Sequence, residues 1–463
     1  MSELLKCISP VDGSVYVERP LASDSDIQAA LDKSVAAQKS WRKVPIGEKQ
    51  ALISKAVDYF VANKAAIAEE LTWQIGRPIS QAPGEIGGFE ERARYMIDIA
   101  PESLADQNVG DKEGFTRFIR KEALGVVFVV APWNFPLMTA VNCIVPALLA
   151  GNAVLLKHAA QTPLCAERFT EAFKAAGLPD GVFQHLHMSH AGAAKLIGSD
   201  GVDFVNFTGS VPAGHAIQKA ASGRFIATGL ELGGKDPAYV RADANVAYAI
   251  ESLVDGAMFN SGQSCCGIER IYVHDSVYDD FVSGAVDVLK QYKLGNPTDT
   301  ATNLGPVVKT SAADFVRGQI AEAVKAGAQA LIDPGFFAAD KEGTPYLAPQ
   351  LVVGVDHSMR VMNEESFGPV VGVMKVSSDE EAIKLMNDSE FGLTASIWTE
   401  DADVALAIGN DINTGTWFMN RCDYLDPALA WTGVKNSGRG CSLSKIAYEH
   451  LTRPKSFHLR TQL

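Results

Sequence analysis

The chain has 463 residues, 47% hydrophobic and 21% charged, enough for two or three domains each with a full core. Its formal net charge of −14 argues against nucleic acid or an anionic membrane surface as the main partner. Seven cysteines, odd in number and irregularly spaced, with no C-x-x-C pair, suit a reduced cytoplasmic protein rather than a disulfide scaffold or a zinc site, and no metal is expected.

The Met-Ser-Glu-Leu-Leu start lacks a basic segment followed by an apolar run, so no secretory signal is expected. The early chain reads as helical. "SDIQAALDKSVAAQKSW" opens with a capping-box pattern, Ser25 to Gln28, and "EKQALISKAVDYFVANKAAIAEELTWQIG" continues at helical period. From residue 125 the pattern changes. Short apolar runs, "GVVFVV", "NAVLLK", "GVFQHLHM", "DFVNFTG" and "FIATGLEL", alternate with helical stretches such as "PLCAERFTEAFKAAGLP". This alternation predicts a parallel sheet with helices on its faces, whose ligands bind beyond the carboxyl ends of the strands. The uncharged stretch from Ala140 to Leu156 falls short of the roughly 20 apolar residues that a membrane span needs. Asn142, Pro146, Gly151 and Asn152 interrupt it, so it predicts a buried helix, turn and strand.

A second alternating series follows Gly233: "ERIYVHD", "AQALID", "PQLVVGV", "VVGVMKV", "LTASIWT" and "TGTWFMN". Two α/β domains in tandem are therefore expected, with their chemistry-bearing loops facing across a cleft. The tail "EHLTRPKSFHLRTQL" alternates without forming a domain, and its pattern suits pairing with the sheet edge of another subunit.

Four stretches carry candidate chemistry. In "NFTGSVPAG" a strand ends in Thr-Gly-Ser and enters a helix near Pro212, where glycine allows close backbone approach and free N–H groups attract anions. Gly209 and Gly214 stand too far apart for a G-x-G-x-x-G fingerprint, and an ordinary turn reads the same way. "LELGGKDP" places Glu231 at the end of an apolar strand, where burial raises a carboxyl pKa and suits a general base; a surface acid is the alternative. "APWNFPL" offers the Asn134 amide to a developing oxyanion, or is simply a proline-rich turn with an aromatic plug. "MFNSGQSCCGIER" sets Cys265 on a glycine-bearing loop where N–H groups can stabilise a thiolate, whereas Cys143 and Cys165 read as small buried hydrophobes.

Together these stretches resemble the aldehyde dehydrogenase superfamily, over nearly the whole chain from "VDGSVYVERP" to "TGVKNSGRG". The family pattern F-x-N-x-G-Q-x-C is met by Phe259, Asn260, Gly262, Gln263 and Cys265, with one spacing allowance because Phe259 directly precedes Asn260. "PWNFP", "FTGS", "ELGGK", "LGP" at Leu304 and "EESFGPV" follow in family order. The resemblance implies a non-acylating, NAD(P)-dependent enzyme with two Rossmann-like parallel-sheet α/β domains plus a small β oligomerisation element. Residues 1–101 and 124–233 would bind the cofactor, 234–435 would be catalytic, and 102–123 with 436–463 would oligomerise as a homodimer or homotetramer. It assigns Cys265 as nucleophile, Asn134 and the Cys265 backbone N–H as oxyanion donors, and Glu231 as the base that activates water. For NAD and/or NADP it points to Pro132, Trp133, Lys157, Phe207, Thr208, Gly209, Ser210, Leu232, Gly233, Glu365 and Phe367. Cys266 is expected to pack or to wall the substrate tunnel.

Two departures from the family pattern bear on specificity. The family often reads K-P-S-E after the strand, its glutamate accepting both ribose hydroxyls; here the run is "KHAAQTP", with Ala160 at that position. Without the carboxylate nothing there repels a 2′-phosphate, Lys157 can pair with it, and NADP should be accepted alongside NAD. Relatives carry Pro-Phe-Gly-Gly where this chain has Ala430-Trp431-Thr432-Gly433. Trp133, Phe135 and Phe259 suggest an aromatic-lined entrance suited to medium aliphatic or aromatic aldehydes, small-molecule substrates. Arg421 and Asp423 occupy a substrate-contacting loop of the family; Arg421 could bind a carboxylate, as in succinate-semialdehyde oxidation, or pair with Asp423 or Asp426. A coenzyme-A-acylating relative generally lacks the base that Glu231 supplies, thiol esterase chemistry would be a side activity, and a non-catalytic structural relative should have lost the nucleophile or the base.

Overall fold

The computed structural model describes residues 3–422 and 424–462. Two sheets organise the chain. The first runs Gly438–Arg439, Ala227–Glu231, Phe204–Thr208, Val126–Val130, Ala153–Lys157, Phe183–His185, parallel throughout except for the short first strand. Val126–Val130, Ala153–Lys157 and Phe204–Thr208 are buried along their whole length. Helices cover both faces of such a sheet, which is why these strands read as unbroken apolar runs. The second sheet runs Gln329–Ala330, Gln350–Val353, Val370–Val376, Ile268–His274, Asp236–Val240, Thr394–Trp398, Thr416–Met419, with only the first strand antiparallel. The uncharged stretch forms the helix Pro136–Leu149 and the strand Ala153–Lys157 inside the first core. No helix of the described residues is long and apolar enough to cross a membrane.

Several local expectations shift. The capping box lies two residues earlier, with Ser23 as N-cap and Asp26 returning the hydrogen bond, and the helix begins at Asp24. The next helical stretch divides at Asn63 into Ile46–Ala62 and Lys64–Ile75. A further helix, Pro83–Ser103, was not anticipated, nor was the hairpin Leu4–Ile8/Val15–Pro20. The strand Asp236–Val240 also escaped notice, although it lies in the interior of the second sheet. Pro237 sits where pairing to Ile268–His274 is irregular and pairing to Thr394–Trp398 has yet to begin, so its missing N–H costs no ladder bond there. The tail strand Thr452–Arg460 pairs within the chain, antiparallel to Phe115–Ala123, in a three-stranded sheet with Gln107–Asn108. Its second edge has no partner strand among the described residues.

Candidate active site

The loop carrying Cys265 begins where the helix Val246–Met258 ends. Asn260, Ser261 and Gly262 take successive φ values of 52°, 58° and 71°. Left-handed backbone costs an L-residue roughly 1–2 kcal/mol, so two such residues in a row need strong local support. Asn260 Nδ2 donates to the carbonyls of Asn134 and Gln263, each at 3.2 Å. The Ser261 hydroxyl donates to the Gly305 carbonyl at 2.8 Å, and Gln263 Oε1 accepts the Val308 N–H at 2.7 Å. Any side chain at Gly262 would overlap the Gly368 carbonyl. The "LGP" segment therefore buttresses the turn, and the turn delivers Cys265 half-buried at a cavity wall.

Arg77, which the sequence did not single out, ties this turn to the neighbouring loop. It is 1% exposed, donates from Nε to Asn260 Oδ1 at 3.0 Å and from Nη2 to the Asn134 carbonyl, and pairs with Glu85 at 2.5 Å. Glu85 also accepts the N–H groups of Leu137 and Met138, at 2.9 and 3.0 Å, in the first turn of the helix Pro136–Leu149. A carboxylate belongs at that positive helix end. The Asn134 side chain completes the clamp, donating from Nδ2 to the Gln263 carbonyl at 3.2 Å, two residues before Cys265. Replacing Arg77 by methionine strands a buried carboxylate and should cost about 3–5 kcal/mol. Denaturant unfolding of the variant checks this, and a loss below 1 kcal/mol would contradict the clamp.

The cavity measures about 390 Å³. Cys265, Cys266, Glu231, Trp431, Phe135, Phe259, Arg92 and Asn142 line it, with Glu91, Asp255 and Tyr424 exposed or half-buried on the same wall. Phe135 and Phe259 stack with ring centres 6.4 Å apart. Asn134 is buried beside the cavity rather than lining it. Glu231 closes the strand Ala227–Glu231. Its carboxyl group accepts from Ser442 Oγ and, at 3.3 Å, from Thr208 Oγ1, and Trp431 bonds it as well. Burial pushes the Glu231 pKa up despite these donors. Ser442 and Trp431 join through backbone bonds of 2.8 and 2.9 Å, so the unusual Ala-Trp-Thr-Gly segment helps to hold this carboxylate.

Gly234 lies against the Cys265 carbonyl and donates its N–H to Glu365 Oε1 at 3.0 Å, and any side chain at Gly233 would overlap the Glu365 carboxyl group. Phe367, at φ 52°, meets Trp133 edge to face at 5.6 Å. Its N–H and that of Ser366 donate to Glu269 at 3.0 and 2.8 Å, and Glu269 pairs with buried Lys235. Leu232 N–H donates to the Ser437 carbonyl at 3.0 Å, and Ser437 Oγ donates to the Gly233 carbonyl at 2.7 Å. "ELGGK", "EESFGPV" and "KNSGRG" thus interlock at one place.

Comparison with known proteins shows the family. Residues 1–457 match the aldehyde dehydrogenase family. The chain belongs to that family. It is an oxidoreductase that oxidises an aldehyde with a nicotinamide cofactor. It is 32% identical over 458 residues to a succinate-semialdehyde dehydrogenase, NADP(+), of Mycobacterium avium, covering 97% of this chain and 95% of the relative. Among solved structures, the NADP-dependent glyceraldehyde-3-phosphate dehydrogenase from Bacillus halodurans complexed with NADP superposes with TM-score 0.93 at 32% identity, covering 99% of this chain and 96% of that one. The succinic semialdehyde dehydrogenase from Streptococcus pyogenes with NADP+ gives 0.94 at 29%, covering 98% and 100%.

The dehydrogenase's expected substrate residues divide. Phe135 and Phe259 reach the cavity, but Arg421 does not line it: its guanidinium stacks 3.6 Å over the Tyr424 ring and the residue is exposed. Asp423 lies outside the described residues. The expected cofactor residues fit a nicotinamide dinucleotide. Lys157 is a buried cation that no described carboxylate pairs with, and burial pushes its pKa down. The helix Val211–Ala221 starts after Gly209 and Ser210 without a side-chain cap and with a proline in its first turn, so its first N–H groups suit a phosphate. Phe207, the residue before Thr208, is buried at the same strand end, and Pro132 precedes Trp133 in the loop that meets Phe367. Burial and the nearby Glu269 charge raise the Glu365 carboxyl to about 8. Next to Lys157, His158 is held down to about 3 by burial; its ring accepts the Ala159 N–H at 3.0 Å and contacts the Pro136 carbonyl at 3.1 Å. His158 therefore stays neutral and braces the loop.

Proposed function

We propose that the enzyme oxidises its aldehyde through a covalent cysteine intermediate. The observation that carries this is one cavity holding Cys265 and Glu231, with Asn134 clamped to the same loop and Glu365 bonded to Gly234, which lies against the Cys265 carbonyl. The Cys265 thiolate attacks the carbonyl carbon; a C–S bond forms and the carbonyl π pair moves onto oxygen. Asn134 keeps one amide hydrogen beyond its bond to Gln263, and with the Cys265 backbone N–H it stabilises that oxyanion. Trp133, Glu365 and Phe367 would hold a nicotinamide, which would accept the hydride lost from that carbon as the oxygen pair re-forms the C=O bond and leaves a thioester on Cys265. Glu231 then takes a proton from water, the hydroxide adds to the thioester, the C–S bond breaks, and acid and thiolate separate. The test is formation of reduced cofactor with a panel of aldehydes, where a flat signal with every aldehyde would end the proposal.

NADP is accepted alongside NAD. Ala160 is exposed and uncharged near Lys157, so no carboxylate opposes a 2′-phosphate. Ala160→Glu should lower kcat/KM for NADP about tenfold or more while sparing NAD. A wild-type preference for NAD above a thousandfold, about 4 kcal/mol, would contradict the assignment.

Residues 1–101 and 124–233, whose sheet the short strand Gly438–Arg439 extends, serve cofactor binding, and 234–435 serve catalysis. Residues 102–123 and 436–463 serve assembly as a homodimer or homotetramer in the cytoplasm, supported by the open edge of Thr452–Arg460. Light scattering of the purified chain tests the assembly. Relatives named for succinate semialdehyde make short semialdehydes the first substrates to try.

A further inference from the structure

Arg92 lies on the helix Pro83–Ser103 and is only 8% exposed, yet it lines the substrate cavity with Cys265 and Glu231. Its Nη1 donates to the Met138 carbonyl at 2.8 Å and lies 3.5 Å from Asn142 Oδ1. No carboxylate among the described residues forms an ion pair with it. A guanidinium has five N–H donors, so most of this one's capacity is unused by the protein. Beside it, Asn142 Nδ2 is buried without a hydrogen-bond partner. A buried cation and an orphaned buried donor on one cavity wall are costly unless something binds them. Both want an acceptor, and the cation wants an anion.

Other charges on the cavity wall do not supply it. Glu91 is exposed and takes the Tyr424 hydroxyl at 2.6 Å, so water and salt screen it, and Asp255, whose pKa partial burial raises, forms no ion pair with Arg92. Glu231 is hydrogen-bonded by Ser442 and Thr208; it and Glu85 act on Arg92 only through space, and neither forms an ion pair with it. Arg421, the loop arginine expected to read a carboxylate, is turned onto Tyr424 outside the cavity. We infer that Arg92, with Asn142 beside it, binds the carboxylate of a short ω-oxo-carboxylate substrate, and so selects semialdehydes over uncharged aldehydes. This rests on the covalent mechanism above and names the substrate class of the same site.

The test compares kcat/KM for 4-oxobutanoate with that for butanal, using NADP. Wild type should favour the acid at least tenfold. Arg92→Met should lower the ratio about 100-fold, chiefly through KM for the acid, and Asn142→Leu about tenfold; Arg92→Lys should recover part of the preference. A wild-type ratio near one, or equal losses on both substrates in Arg92→Met, would overturn the inference and leave Arg92 a structural residue. Should Arg92→Met fail to fold, the wild-type enzyme decides. Succinate, but not butanamide, should protect Cys265 from iodoacetamide, and equal protection counts against the subsite. Cys265→Ser keeps the two ideas apart: if it still oxidises both aldehydes, the covalent mechanism has failed, whatever the ratio.

Discussion

Serine in place of Cys265 is expected to lower kcat for aldehyde oxidation by at least about a thousandfold. A hydroxyl has no appreciable anionic form at neutral pH, and Glu231 is held by Ser442 and Thr208 to serve water rather than residue 265. Cys266 offers no substitute nucleophile. It is buried, with its sulfur 3.6 Å from the Ser264 hydroxyl, and packs in the core cluster that Cys265 only borders. Steady-state assays with butanal and 4-oxobutanoate check the loss, while binding of NADP should survive because the cofactor residues lie on other loops. Retention of a tenth of the wild-type rate would contradict the nucleophile assignment.

Glu231→Gln should behave differently. Attack and oxidation do not need the base, so one equivalent of reduced cofactor should form in a burst before turnover slows by about 10²–10⁴-fold. Burial raises the Glu231 pKa, so the competent, ionised form is lost as pH falls through a value above the ordinary glutamate range. Wild-type turnover should therefore climb with pH across that region whenever thioester hydrolysis limits the rate, and the glutamine variant should lose this limb. A variant with neither a burst nor a changed pH profile would move the base elsewhere.

The sequence pointed to the candidate residues and to little of what supports them. Cys265, Glu231 and Asn134 lie in short motifs that also read as buried packing, a surface acid or a proline-rich turn until the family resemblance assigned their roles, and Glu365 was read from that resemblance. Arg77 was illegible because its partners, Asn260 and Asn134, stand 183 and 57 residues away. Arg92 sits in "FEERARY", a charge-dense run that no motif marks, and only the packing of Pro83–Ser103 against Pro136–Leu149 turns it inward. Arg421 failed for the opposite reason: its position on the loop was legible, but the direction of its side chain depended on Tyr424. The strand Asp236–Val240 was hidden by an Asp-Pro start that normally argues against an interior strand. The tail read correctly as extended, whereas its partner strand within the chain was set by three-dimensional neighbourhood alone.

The most direct measurement is mass spectrometry of Glu231→Gln after mixing with butanal and NADP and quenching in acid. An acyl group should appear on the peptide that contains Cys265, at close to one per chain, and should be absent when NADP is omitted. An acyl group on another residue, or an unmodified Cys265 alongside a full equivalent of NADPH, would contradict covalent catalysis by this cysteine.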